Sequence, residues 1–254
     1  MTRLWQIGRA LLLPAALLLL WEVLMAGTSN AEFLARPSDI ARTSWAVVAN
    51  GLLFKAALET FAAAIFGLLI GGSAGILIGL LLGLYPIFAK LSEIPFETLR
   101  PIPSVALIPL SLLAFGFGLS MEVAVVTFGC FWPTAIYSMA AARQIEPRLQ
   151  EVSRNLGLSF WKRLRSIIVP AALPTVFVGV RLATALSLVI AVTVEVTTNP
   201  RGLGYAMIIA QQTLKPDLAF AFLFWIGVIG LLMNYGLMSI QQRLFPTVSG
   251  RRQP

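Results

Sequence analysis

Apolar runs long enough to cross a bilayer recur along this chain, and short polar stretches between them carry most of its charge. A crossing helix needs about 20 predominantly apolar residues. Six segments meet or approach that length: about Ala10 to Ala26, Ala57 to Leu84, Ser104 to Leu119, Glu122 to Ala142, Thr175 to Val196 and Leu218 to Gln241. The pattern predicts an all-α integral membrane protein with six transmembrane helices. It forms a single transmembrane domain over residues 1–254, with its core at about 57–241. The connections leave no room for a soluble catalytic domain.

Composition supports this reading. Hydrophobic residues make up 58% of the chain and charged residues 12%, against roughly 45–50% and 25% in soluble domains. Histidine is absent, which removes His-based triads, His metal ligands and His pH switches. The single cysteine, Cys130, cannot form an intramolecular disulfide or a metal-binding cluster, and its apolar surroundings suit a packing role. No catalytic residue and no metal site is expected. A net charge of +8 would suggest nucleic acid in a soluble protein. Here the basic residues gather in loops on one side, as membrane topology requires. With the N-terminus in the cytoplasm, Arg36, Arg42, Lys55, Arg201 and Lys215 fall outside, Arg181 falls within a span, and the other 13 Lys and Arg fall inside. Both termini are therefore expected to be cytoplasmic. Arg3, Arg9, the apolar run to Leu20 and the Ser29-Asn30-Ala31 triplet also resemble a signal peptide. The apolar run continues to Met25, so an uncleaved first helix is expected.

The second span carries Gly67, Gly71, Gly75, Gly79 and Gly83 at intervals of four. Small residues at this spacing let two helix backbones approach closely. The stripe drifts by about 40° per step on a 3.6-residue helix, which favours a partner crossing right-handedly. That partner is either another helix of this chain or a second subunit.

The loop at about 143–170 has its own pattern. Pro147 suits a first helical position, and Leu149, Val152 and Leu156 form an apolar stripe. Gly157 is placed to stop that helix. Ser159 can cap a second one, which bears Phe160, Leu164, Ile167 and Ile168 beside Lys162, Arg163 and Arg165. Pro170 and Pro174 mark the entry to the fifth span. The first short helix is either an interfacial helix on anionic lipid or a docking element for a cytoplasmic partner.

These residues resemble a known family. Permease subunits of binding-protein-dependent ABC importers carry Glu-Ala-Ala, three residues, Gly, nine residues, then Ile, any residue, Leu-Pro. Here Glu151-Val152-Ser153, Gly157 and Ile167-Ile168-Val169-Pro170 stand at those spacings. Leu99-Arg100-Pro101-Ile102-Pro103, Pro109, Phe115-Gly116-Phe117-Gly118, Gly179-Val180-Arg181, Glu195 and Gly202-Leu203-Gly204 are similar to the nitrate, sulfonate, taurine and bicarbonate branch. The second span departs from that branch, with Ala57-Leu58-Glu59-Thr60 where Ser-Leu-x-Arg is usual.

The resemblance implies a type I ABC importer permease with a cytoplasmic coupling helix, in which Glu151, Val152, Ser153, Gly157 and Pro170 meet the ATPase. It implies a second permease copy as a homodimer, two cytoplasmic ATPase subunits and a periplasmic or lipid-anchored solute-binding protein. The setting it implies is a bacterial inner membrane, with lipid around the helices. The chain has no Gly-rich loop ending in Gly-Lys-Ser/Thr, so ATP and Mg are expected on the partner ATPases and no cofactor on this chain. The expected solute is a small anion of the sulfonate, nitrate or bicarbonate type. Aromatic carboxylates, pyrimidine precursors and flavins are the alternatives. An ATP-independent secondary transporter or channel is the competing class, and a membrane enzyme lacks any nucleophile–base pair.

Arg181 and Glu195 are the ionisable residues of the fifth span. A charge within a span faces a cavity or a partner. They stand about 21 Å apart along a helix, too far to pair with each other. Each is a candidate for gating or for an ion pair. Arg181 also has the options of snorkelling or meeting an anionic solute. Gly202-Leu203-Gly204 reads as a flexible outer turn.

Overall fold

A computed structural model describes residues 2–26, 34–145 and 157–244. Among these there is no strand. The helices are α1 (Thr2–Ala26), α2 (Pro37–Ala49), α3 (Leu52–Leu84), α4 (Pro86–Leu99), α5 (Ile108–Phe115), α6 (Leu119–Arg143), α7 (Val169–Thr197), α8 (Gly202–Gln212) and α9 (Pro216–Leu244). A 3-10 turn, Ser104–Leu107, precedes α5. A helical lead-in, Phe160–Arg163, and a π-helical turn, Leu164–Ile168, run into α7. The π turn sits directly before Pro170, which has no N–H to give to the helical ladder. The wider register places the Val169 N–H on Leu164 O instead.

Helix α6 is central, with α3 along one side and α7 along the other. The α3 stripe makes its side close. Gly67, Gly71, Gly75, Gly79 and Gly83 lie against Val126, Thr127, Phe131 and Thr134, Ala135, and Met139 and Ala142 in turn. The partner numbers rise together, so α3 and α6 run parallel. A Cβ on Gly71 would overlap Thr127 O, and one on Gly79 would overlap Ala135 O. On the other side, Cys130 Sγ lies 3.4 Å from Ala183 O. Gly129 meets Ile190, and Gly179 meets Tyr137 and Pro133 O. Those numbers run in opposite directions, so α7 is antiparallel to α6.

The core that results is built from small side chains. Ala63, Ala64, Val125, Ala135, Ala183 and Ala191 have no exposure at all. Lipid tails are as apolar as leucine, so burial supplies little drive between helices in a bilayer. Close backbone contact and dispersion must hold the bundle instead. Several buried hydroxyls cost little because they bond back into their own helices, as Thr134 Oγ1 does to Cys130 O (2.9 Å) and Thr184 Oγ1 to Val180 O (2.8 Å), whereas Ser138 Oγ has no partner among the described residues. Large apolar side chains point outward, Leu113 and Leu77 among them.

Four helices among the described residues are long and apolar enough to cross a membrane: Leu52–Leu84, Leu119–Arg143, Trp161–Thr197 and Pro216–Arg243. A fifth exists only if α4 and the segment Ser104–Phe115 count as one span. The described apolar part of α1 is the shorter stretch Leu12–Ala26. These lengths do not confirm six spans. The expected third span, Ser104 to Leu119, is not a continuous crossing helix. It is the second limb of a pair bent by 84°. The cause is Pro101-Ile102-Pro103, since proline removes a donor and drives the residue before it out of helical conformation.

Candidate functional site

The first turn of α8 is held by side chains from other helices. A helix start leaves its first N–H groups without partners inside the helix. The residue before α8, Arg201, offers no side-chain cap. Three side chains from other helices take that role. Gly202 N–H donates to Glu59 Oε2 (3.0 Å), Leu203 N–H to Thr60 Oγ1 (2.9 Å) and Gly204 N–H to Glu195 Oε2 (2.8 Å). Carboxylates here also face the positive end of the helix dipole. Asn199 Nδ2 donates to Glu122 Oε2 at 2.9 Å, and the Glu122 carboxyl neighbours that of Glu195. The cluster therefore joins α3, α6, α7 and α8.

The cluster is sealed. Thr60 is fully buried, and Glu122, Glu195 and Asn199 are each 1% exposed. Glu122 Oε1, Glu195 Oε1 and Asn199 Oδ1 accept no hydrogen bond among the described residues. No Lys or Arg among those residues pairs with either carboxyl. Two glycines make the approach of Glu195 possible. Gly202 has φ +87, and a Cβ there would overlap the Glu195 carboxyl. A Cβ on Gly204 would stand 2.6 Å from Val192 O and 2.9 Å from Glu195 Cβ. Gly202-Leu203-Gly204 is thus not a flexible turn. It is a buried helix start, with Leu203 fully enclosed. With acceptors on one side and backbone donors on the other, the cluster fixes helices and holds no nucleophile–base pair.

The other predicted residues lie elsewhere. Arg181 is exposed on α7 and has no partner among the described residues, so Arg181 and Glu195 are not brought together. Gly157 has φ +61, a conformation that favours glycine, and Pro170 stands in the first turn of α7. Glu151, Val152 and Ser153 lie outside the described residues. Glu59, Thr60, Glu122 and Asn199 did not emerge from the sequence as partners of Glu195. The available signal was an acidic residue at the start of two predicted spans.

The break between α4 and α5 forms a second distinctive feature. One cavity beside it, of about 950 Å³, is lined by Lys90, Glu93, Glu97, Arg100 and Arg143 among others. Another, of about 520 Å³, is lined by Arg100, Ser104, Phe128, Trp132 and Tyr137 among others. Arg100 belongs to both.

A helical membrane bundle with close glycine packing and a span broken at prolines is a framework that suits a transport subunit. Residues 73–250 match the family described as binding-protein-dependent transport system inner membrane component, and the chain belongs to that family. It is the membrane subunit of an ABC importer, whose ATPase is a separate chain. It is 29% identical over 241 residues to an SsuC protein of Bacillus subtilis (strain 168) named for aliphatic sulfonates transport, covering 93% of this chain and 86% of that protein. It is 29% identical over 204 residues to the taurine transport system permease protein TauC of Escherichia coli (strain K12), covering 80% and 71% respectively. Over 240 residues it is 27% identical to the nitrate import permease protein NrtB of Leptolyngbya laminosa, covering 91% and 85%. The MetNI methionine ABC transporter in an inward-facing conformation shares the fold in two crystal forms. Their TM-scores are 0.58 and 0.57 at 18% and 21% identity, covering 84% and 82% of this chain and 97% and 95% of theirs.

Proposed function

We propose that this importer carries a small oxyanion of the sulfonate or nitrate class. The observation that carries the reading is the likeness, over most of the chain, to relatives named for aliphatic sulfonates, taurine and nitrate. Two copies of the chain enclose the path as a homodimer, two ATPase subunits drive it from the cytoplasm, and a binding protein delivers the solute from outside. Both termini face the cytoplasm, in keeping with the distribution of Lys and Arg. On that orientation the buried cluster around α8 lies near the outer face, and residues 143–170 lie inside.

The coupling element is Glu151, Val152, Ser153, Gly157 and Pro170. The left-handed backbone at Gly157 and the helix that begins at Phe160 support a short helix ending there. ATP binding closes the ATPase pair, which pulls on this element and tilts the bundles outward, and hydrolysis resets them. The test is to reconstitute the chain with its ATPase and binding protein and to measure ATP-dependent uptake of taurine and of nitrate. Uptake that needs both ATP and the binding protein is the expected result. Flux that ignores ATP contradicts the reading and identifies a self-sufficient carrier.

A further inference from the structure

Backbone leaves helical form at membrane depth only where protein buries it or where it lines a cavity, and discontinuous helices are where transporters hold their solutes. The α4–α5 break lines two cavities, and the smaller one has an unusual chemistry. Its polar groups are Arg100, the Ser104 and Tyr137 hydroxyls and the Trp132 indole, with no acidic residue among the described residues of the lining. Arg100 has no carboxylate within ion-pairing distance among the described residues. Trp132 is 9% exposed, and its Nε1–H finds no acceptor among the described residues. A buried indole N–H seeks one. Phe128 and Trp132 form apolar walls, which strengthen any charge interaction inside. The volume of about 520 Å³ falls in the range of small-ligand sites. By contrast, the larger cavity on the other side of Arg100 holds Glu93 and Glu97 among its cations, so it presents mixed charge.

We propose that the cavity formed by Arg100, Ser104, Trp132 and Tyr137 is a transit site for the oxyanion headgroup of the imported solute. Arg100 supplies the countercharge, and the Trp132 N–H and Ser104 hydroxyl supply directional donors. Placed between the two cavities, Arg100 passes the anion from the chamber without carboxylates to the mixed one. The site rests on the anion-import reading for its physiological ligand, but its chemistry is testable alone.

The experiment places a cysteine at the site as Ser104→Cys in the intact importer complex, in phosphatidylcholine nanodiscs. Two methanethiosulfonate reagents are compared, one carrying a sulfonate and one a trimethylammonium group. Cys130 has no exposure, so the parent chain is the unlabelled control, and the reaction of both reagents with free 2-mercaptoethanol sets the intrinsic rate ratio. We expect the sulfonate reagent to be favoured at position 104 by about tenfold over that reference, an effect of one nearby charge in a low dielectric. Arg100→Gln should abolish the preference and Arg100→Lys should keep it. Added ethanesulfonate should slow labelling where chloride at equal ionic strength does not, and Trp132→Phe should remove that protection while the charge preference stays. Equal preference for the two reagents, no reaction with either, or equal protection by chloride overturns the proposal. So does slowing by phosphatidylglycerol nanodiscs with no effect of ethanesulfonate, which would assign the cavity to a lipid headgroup. Uptake of taurine and nitrate is measured on the same parent complex reconstituted into sealed proteoliposomes. Uptake without the labelling preference overturns the site alone. The preference without anion uptake supports the site and overturns the import reading.

Discussion

Replacing Gly202 by Ala adds one carbon where the structure has no room for it. The left-handed backbone at φ +87 costs a non-glycine residue about 1–2 kcal/mol. The new Cβ also overlaps the Glu195 carboxyl. Glu195 must then move, and it gives up the Gly204 N–H at 2.8 Å, which leaves that buried donor unpaired at a cost of about 1–3 kcal/mol. The expected loss is about 2–5 kcal/mol. At about 2–4 °C per kcal/mol for a chain of this size, the thermal midpoint of the monodisperse species in detergent should fall by roughly 10 °C. Gly227 is the control, because a Cβ there meets nothing within 4 Å and Ala favours the helix by up to about 1 kcal/mol. A second control separates the two costs. In a Glu195→Ala background the overlap is gone, so Gly202→Ala should cost only the backbone part, about 1–2 kcal/mol, and the pair should be strongly non-additive. A Gly202→Ala midpoint within 2 °C or so of the parent, or full additivity with Glu195→Ala, would refute the close approach of Glu195 to α8.

Other predictions follow from the same geometry. Thr60→Val removes the acceptor of the buried Leu203 N–H and should lower stability by about 1–3 kcal/mol, measured by the same thermal assay. Gly71→Leu should prevent recovery of monodisperse protein, because even a Cβ there overlaps the α6 backbone. Gly72→Ala should be tolerated, since its nearest neighbours stand at 3.8 and 3.9 Å. Gly157→Pro cannot keep φ +61 and should reduce recovery of the ATPase in a pull-down without loss of membrane insertion. Cys130 should resist maleimide in the native protein and react after denaturation, given its complete burial.

The long helices were legible because their apolar runs are uninterrupted, and α3, α6, α7 and α9 cover the expected spans with longer ends. The expected third span is broken rather than continuous for a physical reason. Hydropathy stays high through Ile102, Val105 and Leu107, and it does not register that Pro101 and Pro103 remove ladder donors. The glycine stripe announced a close helix contact but left its partner open. The structure places α6 of the same chain there. Gly202-Leu203-Gly204 read as a turn because glycine commonly marks turns. Its actual demand, room for a carboxyl, comes from Glu195 in another helix. The cluster around it joins residues 143 and 77 positions apart, and no local periodicity encodes such pairs. The family motif at 151–170 was legible in its spacing alone, and its Glu151, Val152 and Ser153 lie outside the described residues.

The most direct test of the central claim is solute uptake by proteoliposomes that contain this chain co-purified with its ATPase and supplied with its binding protein. The account predicts uptake of taurine or nitrate that requires ATP and the binding protein and that is lost with Gly157→Pro while the bundle remains folded. Uptake of neither anion, or flux that persists without ATP, would contradict it.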